Sequence, residues 1–488
     1  MTTIPPAVEV AAVDLGATSG RVVHGRVDTD GVTFEVTHRF WNGPVRTPDG
    51  LSWDVLSLWR GALDGLAAAV RAAGPDGLAS IGVDSWAVDY GLLRSDAARD
   101  TVRLLANPRH YRDDRNDAGV DLVHAALDHA GLYARNGLQF LPFNTLYQLA
   151  AERAGGLLDL ADGLLLIPDL LTSWLTGTGV AEVTNASTTG LLTAVDRAWD
   201  DDLIDRLGFP RSLFADLVEP GTRVGATLPT VSAEIGAEVP VVAVGSHDTA
   251  SAVAAVPMAD PSTAAYVSCG TWGLVGLELE TPVLTEEARL AGFTNEAGVD
   301  GRVRFLHNVM GLWLLNEAVA GWSRADVEPV DLVALLAAAA DEPTPLVLVD
   351  PNDPAFLAPA DMVAALADHL TTRGAAVPAT RPAWARLIVE SLAVAFADAV
   401  DTAARLTGRD VEVIHVVGGG ALNTLLCQLT ADRSGRPVVA GPVEATALGN
   451  LLVQARAVAF AGESLEALRS RTASSELATY APRPRHQA

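Results

Sequence analysis

An α/β protein built from two similar halves with a cleft between them is the fold class this sequence predicts. Three observations carry it. Apolar, β-branched strands alternate with amphipathic helices along nearly the whole chain. The order strand, strand, strand, helix, strand runs once from residue 8 and starts again at residue 264. Each copy opens on a hairpin whose turn is made of glycine and small hydroxyl residues.

Taken in order, residues 8–13 form an apolar strand ending in Asp14-Leu-Gly-Ala-Thr-Ser-Gly20, and residues 21–27 return. Residues 33–40 alternate as a third strand. Asp54 caps a helix with Val55, Leu58, Trp59, Ala62, Leu66 and Val70 on its apolar face, stopped by Gly74-Pro75. Residues 80–84 make the next strand. This is not a Rossmann half, since no G-x-G-x-x-G opens a helix after the first strand. Residues 114–228 read as mostly helical. In the second copy, strands are expected at 264–267, 274–279 and 302–306, and helices at 310–320 and 382–406. A strand at 411–417 runs into Gly418-Gly-Gly420, and a further strand and helix follow at 437–441 and 444–460. The expected domains are residues 1–240, residues 241–460 and a tail at 461–488.

Composition narrows the chemistry. The sequence has 488 residues, a net charge of -26 and 49% hydrophobic residues. Such an acidic balance disfavours nucleic acid and anionic membrane as partners. Two cysteines, no basic apolar leader and no uninterrupted membrane-length run point to the cytoplasm. All 34 basic residues are arginine. With no lysine, P-loop and Schiff-base chemistry are excluded.

Phosphate can still be bound by backbone N–H groups at the glycine turns Asp14-Leu-Gly-Ala-Thr18, Gly270-Thr-Trp-Gly273 and Gly418-Gly-Gly-Ala421. Thr18 and Thr271 add hydroxyls. Asp14 is a candidate for Mg²⁺ through water, or else an ordinary strand-end aspartate. The glycines from Gly418 leave room for adenine against the backbone. Near the chain midpoint, Val241-Val-Ala-Val-Gly-Ser-His-Asp-Thr-Ala250 delivers Asp248 to a turn. A carboxylate there suits the acceptor of an alcohol proton in phosphoryl transfer. The plainer reading is a helix N-cap, which would lower its pKa where a base benefits from a higher one. His247 is a candidate substrate contact, and Trp86 either stacks on a sugar or fills core. Passages at 107–112, 139–148 and 184–189 are rich in amides and hydroxyls, suited to sugar binding or to turns.

The chain resembles the FGGY family of carbohydrate kinases over residues 8–460. The matches are Val13-Asp-Leu-Gly-Ala-Thr-Ser-Gly-Arg21, Asp84-Ser-Trp-Ala-Val-Asp89, Phe140-Leu-Pro-Phe-Asn-Thr-Leu-Tyr-Gln-Leu149, Ser246-His-Asp-Thr-Ala-Ser251, Asn308-Val-Met-Gly-Leu-Trp-Leu-Leu315 and Gly418-Gly-Gly-Ala-Leu-Asn-Thr-Leu-Leu426. The resemblance implies two duplicated ribonuclease H-like (actin/hexokinase/Hsp70-like) domains acting as a monomer or homodimer. It implies ATP- and Mg²⁺-dependent phosphorylation of L-rhamnulose at O1. A sister activity on L-fuculose or D-xylulose, or a non-catalytic sugar sensor, are the alternatives. By position, Asp248 is then the proton acceptor, and Ala87, His247 and Thr249 line the sugar. Ala17, Thr18, Ser19, Gly20, Arg21, Thr271, Asn308, Asn316 and Gly419 fall at ATP. Three residues depart from the family pattern: Ala87 for glycine, Asn316 for glutamine, and Cys269 for serine. The last is expected to make the site oxidation-sensitive.

Overall fold

The computed structural model describes residues 7–96, 101–326, 329–357, 359–474 and 477–483. By packing, the chain divides into two compact units. Met1–Ala259, Leu279–Phe305 and Ala445–Ser474 form the first; Asp260–Glu278, Leu306–Glu444 and Ser475–Ala488 form the second.

The first unit is organised on a six-stranded sheet in the order Arg223–Ala226, Pro240–Val242, Ser80–Ser85, Ala7–Leu15, Ser19–Asp28, Val32–Trp41. Ala7–Leu15 pairs antiparallel with Ser19–Asp28 and parallel with Ser80–Ser85, and Pro240–Val242 continues the parallel side. Val10 to Leu15 are all buried, because helices cover both faces of the central strands. Helix Val55–Ala73 lies on one face. Its Asp54 side chain accepts from Ser57 N at 3.1 Å, and Gly74 closes it at φ 63°. Helix Ala445–Val458 covers the strands too, so closely that a Cβ on Gly25 would meet Leu451 Cδ1 at 2.4 Å.

The second unit repeats the core of this order. Its strands run Val303–Val309, Gly273–Leu279, Ala264–Cys269, Val413–Val417, Val438–Ala440, Ala478–Tyr480. Ala264–Cys269 again pairs antiparallel with the hairpin partner and parallel with the strand beyond the helices. In both units the third, second, first and fourth of these strands, counted along the chain, lie side by side, as expected of duplicated α/β domains; beside the fourth comes the sixth in the first unit and the fifth in the second. Helix Arg381–Thr407 buries Trp384, Leu387, Ile388, Leu392, Phe396 and Val400, and Phe396 Cε1 would be 2.6 Å from a Cβ on Gly273.

The units are not cut where the sequence suggests. The expected boundary at residue 240 falls inside the first unit, because Val241 pairs with Ile81 and completes its sheet. Described residues of the supposed tail also belong to the two units. Arg471 Nε donates to Asp28 O at 2.7 Å in the first unit, and Ala478–Tyr480 extends the sheet of the second. The mostly helical reading of 114–228 holds for helices such as Asn116–Ala126, Thr145–Ala154 and Ile167–Thr176. It misses the strand Gly163–Leu166, which joins Thr101–Leu104 and Tyr90–Asp96 in a three-stranded sheet. Among the described residues, no helix is long and apolar enough to cross a membrane.

Candidate active site

Open α/β sheets place chemistry beyond the carboxyl ends of their parallel strands. In the first unit three such ends converge. Trp86 N donates to Leu15 O at 3.2 Å, Ser85 N donates to Ser246 O at 2.9 Å, and Asp14 and Asp84 are partners in register. Asp14, Asp84 and Asp248 thereby share one region, and the charges of Asp14 and Asp248 both act on Asp84. Asp84 is fully buried, with Asn450 Nδ2 donating to its Oδ2 at 2.5 Å. Burial first, then those two carboxylates, hold the Asp84 pKa well above the usual range. Its Oδ1 is buried without a hydrogen-bond partner. Asp14 is clasped by Arg21, whose Nε and Nη2 both reach Oδ2, at 2.8 and 2.5 Å.

Asp248 is the first residue of helix Asp248–Ala255, and His247 occupies the N-cap without a side-chain capping bond. The carboxylate is therefore not consumed in capping. It accepts from Thr249 Oγ1 at 3.1 Å, and burial raises its pKa against the opposing pull of His247, Thr249 and Arg304. Asp248 is thus free of the capping that would lower its pKa. Thr249 is buried and touches this carboxylate. Ala87 is partly exposed after strand Ser80–Ser85, whereas Trp86 is core: its ring packs tilted on Trp53 with centroids 4.0 Å apart, and it donates to Asp89 at 3.0 Å.

The hydroxyl- and amide-rich passages hold these loops rather than presenting themselves. Thr145 Oγ1 and Gln148 Nε2 both donate to Val88 O, and Asn144 donates to Thr188 O. Asn185 is fully buried and reaches Ser246 O. Three residues that sequence reasoning missed complete the site. Glu182 accepts from both Ser246 N and Ser246 Oγ, at 2.9 and 2.8 Å, immediately before His247. Glu296 and Arg304 lie against the His247 ring. An isolated charged residue in an apolar segment was the available signal, since a buried charge needs a partner. No spacing named the partners.

On the hairpin of the first unit, Thr18 and Ser19 are exposed, Ala17 is partly exposed, and Gly20 is packed under Phe40. In the second unit the turns after Ala264–Cys269 and Val413–Val417 are neighbours, since those strands are parallel partners up to Ser268 and Val417. Thr271 lies in the first turn, and its carbonyl accepts from Trp313 N at 3.2 Å at the start of the helix bearing the exposed Asn316. Asn308 O accepts from Asn352. Gly418 sits at φ 79°, Gly420 packs on Cys269, and exposed Gly419 has nothing within 4 Å of a Cβ position. Cys269 is not the redox-sensitive group expected from its position. It is buried, and burial pushes its thiol far up, away from reactive thiolate.

Family models for FGGY carbohydrate kinases match both parts of the chain, the N-terminal domain over residues 10–255 and the C-terminal domain over 265–458. The chain belongs to the FGGY family of carbohydrate kinases. Among curated FGGY relatives, a rhamnulokinase from Pectobacterium carotovorum subsp. carotovorum is 42% identical over 92% of this chain and 88% of its own. One from Bacteroides thetaiotaomicron is 39% identical, covering 92% and 90%. Of solved structures, a ligand-bound xylulose kinase from Lactobacillus acidophilus aligns with TM-score 0.76 and 18% identity over 98% of this chain and 94% of its own. A Plasmodium falciparum glycerol kinase with ADP aligns at 0.74 and 14%, covering 97% and 94%. At such identities these two structures speak to fold alone. This FGGY chain is a sugar kinase.

Proposed function

We propose that this kinase transfers the γ-phosphoryl group of ATP to O1 of L-rhamnulose, giving L-rhamnulose 1-phosphate and ADP. The carrying observation is Asp248: an uncapped helix-start carboxylate whose pKa is raised by burial. The choice of sugar is supported by relatives named rhamnulokinase at 36–42% identity. Asp248 accepts the hydroxyl proton as the sugar oxygen bonds to phosphorus and the bond to the ADP oxygen breaks. His247 and Thr249 orient that carboxylate and the sugar, and Ala87 borders the same space. Ala17 to Arg21, Thr271, Asn308, Asn316 and Gly419 serve ATP, mainly through backbone N–H and short polar groups.

The residues present fit a divalent cation. Asp84 Oδ1 is an orphaned buried oxygen beside Asp14, in a region crowded with carboxylates that a cation would relieve. No group of three or more metal-ligating side chains occurs among the described residues, which suits Mg²⁺ bound by Asp14 through water. Mg²⁺ would there neutralise charge on the phosphates.

A coupled ADP-release assay with L-rhamnulose, L-fuculose, D-xylulose and glycerol tests the sugar assignment. L-rhamnulose should have the highest kcat/KM, and any other order refutes it. Asp248→Asn should lower kcat by about 10²–10⁴-fold while still binding sugar. Retention of near-normal turnover removes Asp248 as the base.

A further inference from the structure

Behind His247 lies a buried ion pair that proton transfer to Asp248 does not itself require. Arg304 is fully buried on strand Val303–Val309, and Glu296 on strand Phe293–Ala297 is 6% exposed. Arg304 Nη1 is 3.0 Å from Glu296 Oε2, and its Nε donates to Ala297 O at 3.1 Å. Its Nη2 lies 3.0 Å from His247 Nδ1, on the far side of the ring from Nε2, which is 3.5 Å from Asp248 Oδ1.

A guanidinium has only donors, so the ring nitrogen it addresses must accept. Glu296 Oε2 competes for that nitrogen, but at 3.3 Å it is farther away than the guanidinium. The shorter, well-formed contact with Arg304 prevails, and in the neutral ring the proton resides on Nε2. A buried pair of this kind contributes little net stability compared with apolar packing, so stability alone does not account for it.

We propose that Arg304 is a positioning residue that fixes His247 as its Nε2–H tautomer, with Glu296 holding the guanidinium in place. His247 then presents a donor toward Asp248 and the sugar hydroxyl, keeping the carboxylate oriented to receive the proton. The inference rests on Asp248 being the proton acceptor. In its absence from the ring, Glu296 would become the acceptor for Nδ1–H, and Nε2 would turn a lone pair toward a carboxylate.

Side-chain ¹⁵N NMR of full-length, ¹⁵N-histidine-labelled protein tests this, with His247 assigned by its loss in His247→Gln. The wild-type ring should carry its proton on Nε2; a proton on Nδ1 overturns the proposal without any further variant. In Arg304→Met the proton should move to Nδ1. There kcat should fall on the order of a hundredfold, as for other wrong-tautomer histidines or lost acid–base groups, with KM for L-rhamnulose changed less than about threefold. Adding Glu296→Gln supplies an amide donor to Nδ1, and should restore the Nε2–H tautomer and most of the lost kcat. A purely structural role predicts no such return. An unchanged tautomer in Arg304→Met, or a changed one with wild-type kcat, overturns the proposal. Near-normal turnover of Asp248→Asn instead overturns the assignment of the base, leaving the tautomer result to stand.

Discussion

Glu182→Gln should loosen the catalytic loop without touching any residue assigned to substrate. Glu182 is 1% exposed, and its Oε2 accepts four hydrogen bonds: Thr184 Oγ1 at 2.5 Å, Ser246 Oγ at 2.8 Å, Ser246 N at 2.9 Å and Asn185 N at 3.3 Å. Its Oε1 accepts one, from Thr184 N at 3.0 Å. An amide has a single tolerable orientation here, with its NH₂ in the place of Oε1, opposing the Thr184 N–H. That opposed pair of donors, neither with an acceptor, costs about 1–3 kcal/mol. The other four bonds lose charge assistance, which roughly halves each, while relief from burying a charge offsets part of that. A net loss of about 2–3 kcal/mol follows, localised at the two loops joined by Glu182. Ser246 immediately precedes His247 and Asp248, so a displacement of about 1 Å there lowers turnover by roughly 10²-fold. Coupled ADP-release kinetics and urea unfolding followed by tryptophan fluorescence read both effects. A variant with the wild-type unfolding midpoint and kcat within about twofold of wild type would refute the staple.

Three further outcomes follow from other buried contacts. Burial holds Asp89 up at about 6, above the unfolded value of 3.8, despite donors from Trp53, Gln148, Trp86 and Tyr111. The folded protein binds a proton that the unfolded chain lacks between about pH 4 and 6, so this stabilisation is complete below pH 4 and lost as pH rises through 6. Asp89→Asn has no such titration, and its stability relative to wild type should improve by about 3 kcal/mol from pH 4 to 7; a flat difference in urea midpoints contradicts the shift. Gly449→Ala would place a Cβ 1.7 Å from Ser251 O, pushing apart helices Ala445–Val458 and Asp248–Ala255. A loss of at least about 1–3 kcal/mol and a reduced kcat are expected, and unchanged thermal unfolding would be incompatible with that contact. Both cysteines are buried, with Cys427 pushed up to about 12, so native protein should not react with a thiol reagent until unfolded. A rapidly modified thiol in the native enzyme would restore the oxidation-sensitive reading of Cys269.

The sequence made the repeated order of elements legible because it is written in local patterns. Apolar runs such as Val10 to Val13 mark strands covered on both faces, and Asp54 and Gly74 mark the ends of a helix. Asp248 and the glycine turns were legible for a related reason, since each ends such a strand. The small sheet built on Tyr90–Asp96 was not, because its neighbours Thr101–Leu104 and Gly163–Leu166 are four residues each and the second lies inside a region of stronger helical pattern. The domain boundary failed for a different reason. Helix Ala445–Val458 packs on strands that precede it by more than 350 residues in the sequence, through Asn450 on Asp84 and Gln454 on Ala11 O.

The same distance explains why the polar supports of the site escaped notice. Glu182 is 64 residues from Ser246, and Arg304 is 57 residues from His247. Neither pair has a spacing that a helix or strand period would mark. What brings them together is the requirement that each buried charge find partners. Glu182 meets it with five donors, four of them gathered on one oxygen from two separate loops. Burial of a carboxylate is thus how the Ser246 turn acquires a fixed position, because the carboxylate is satisfied only when both loops are in place. Asp248 follows two residues later and inherits that position with its own side chain uncommitted to capping. A base at Asp248, as proposed, needs a fixed orientation, and the missed glutamate supplies the rigidity.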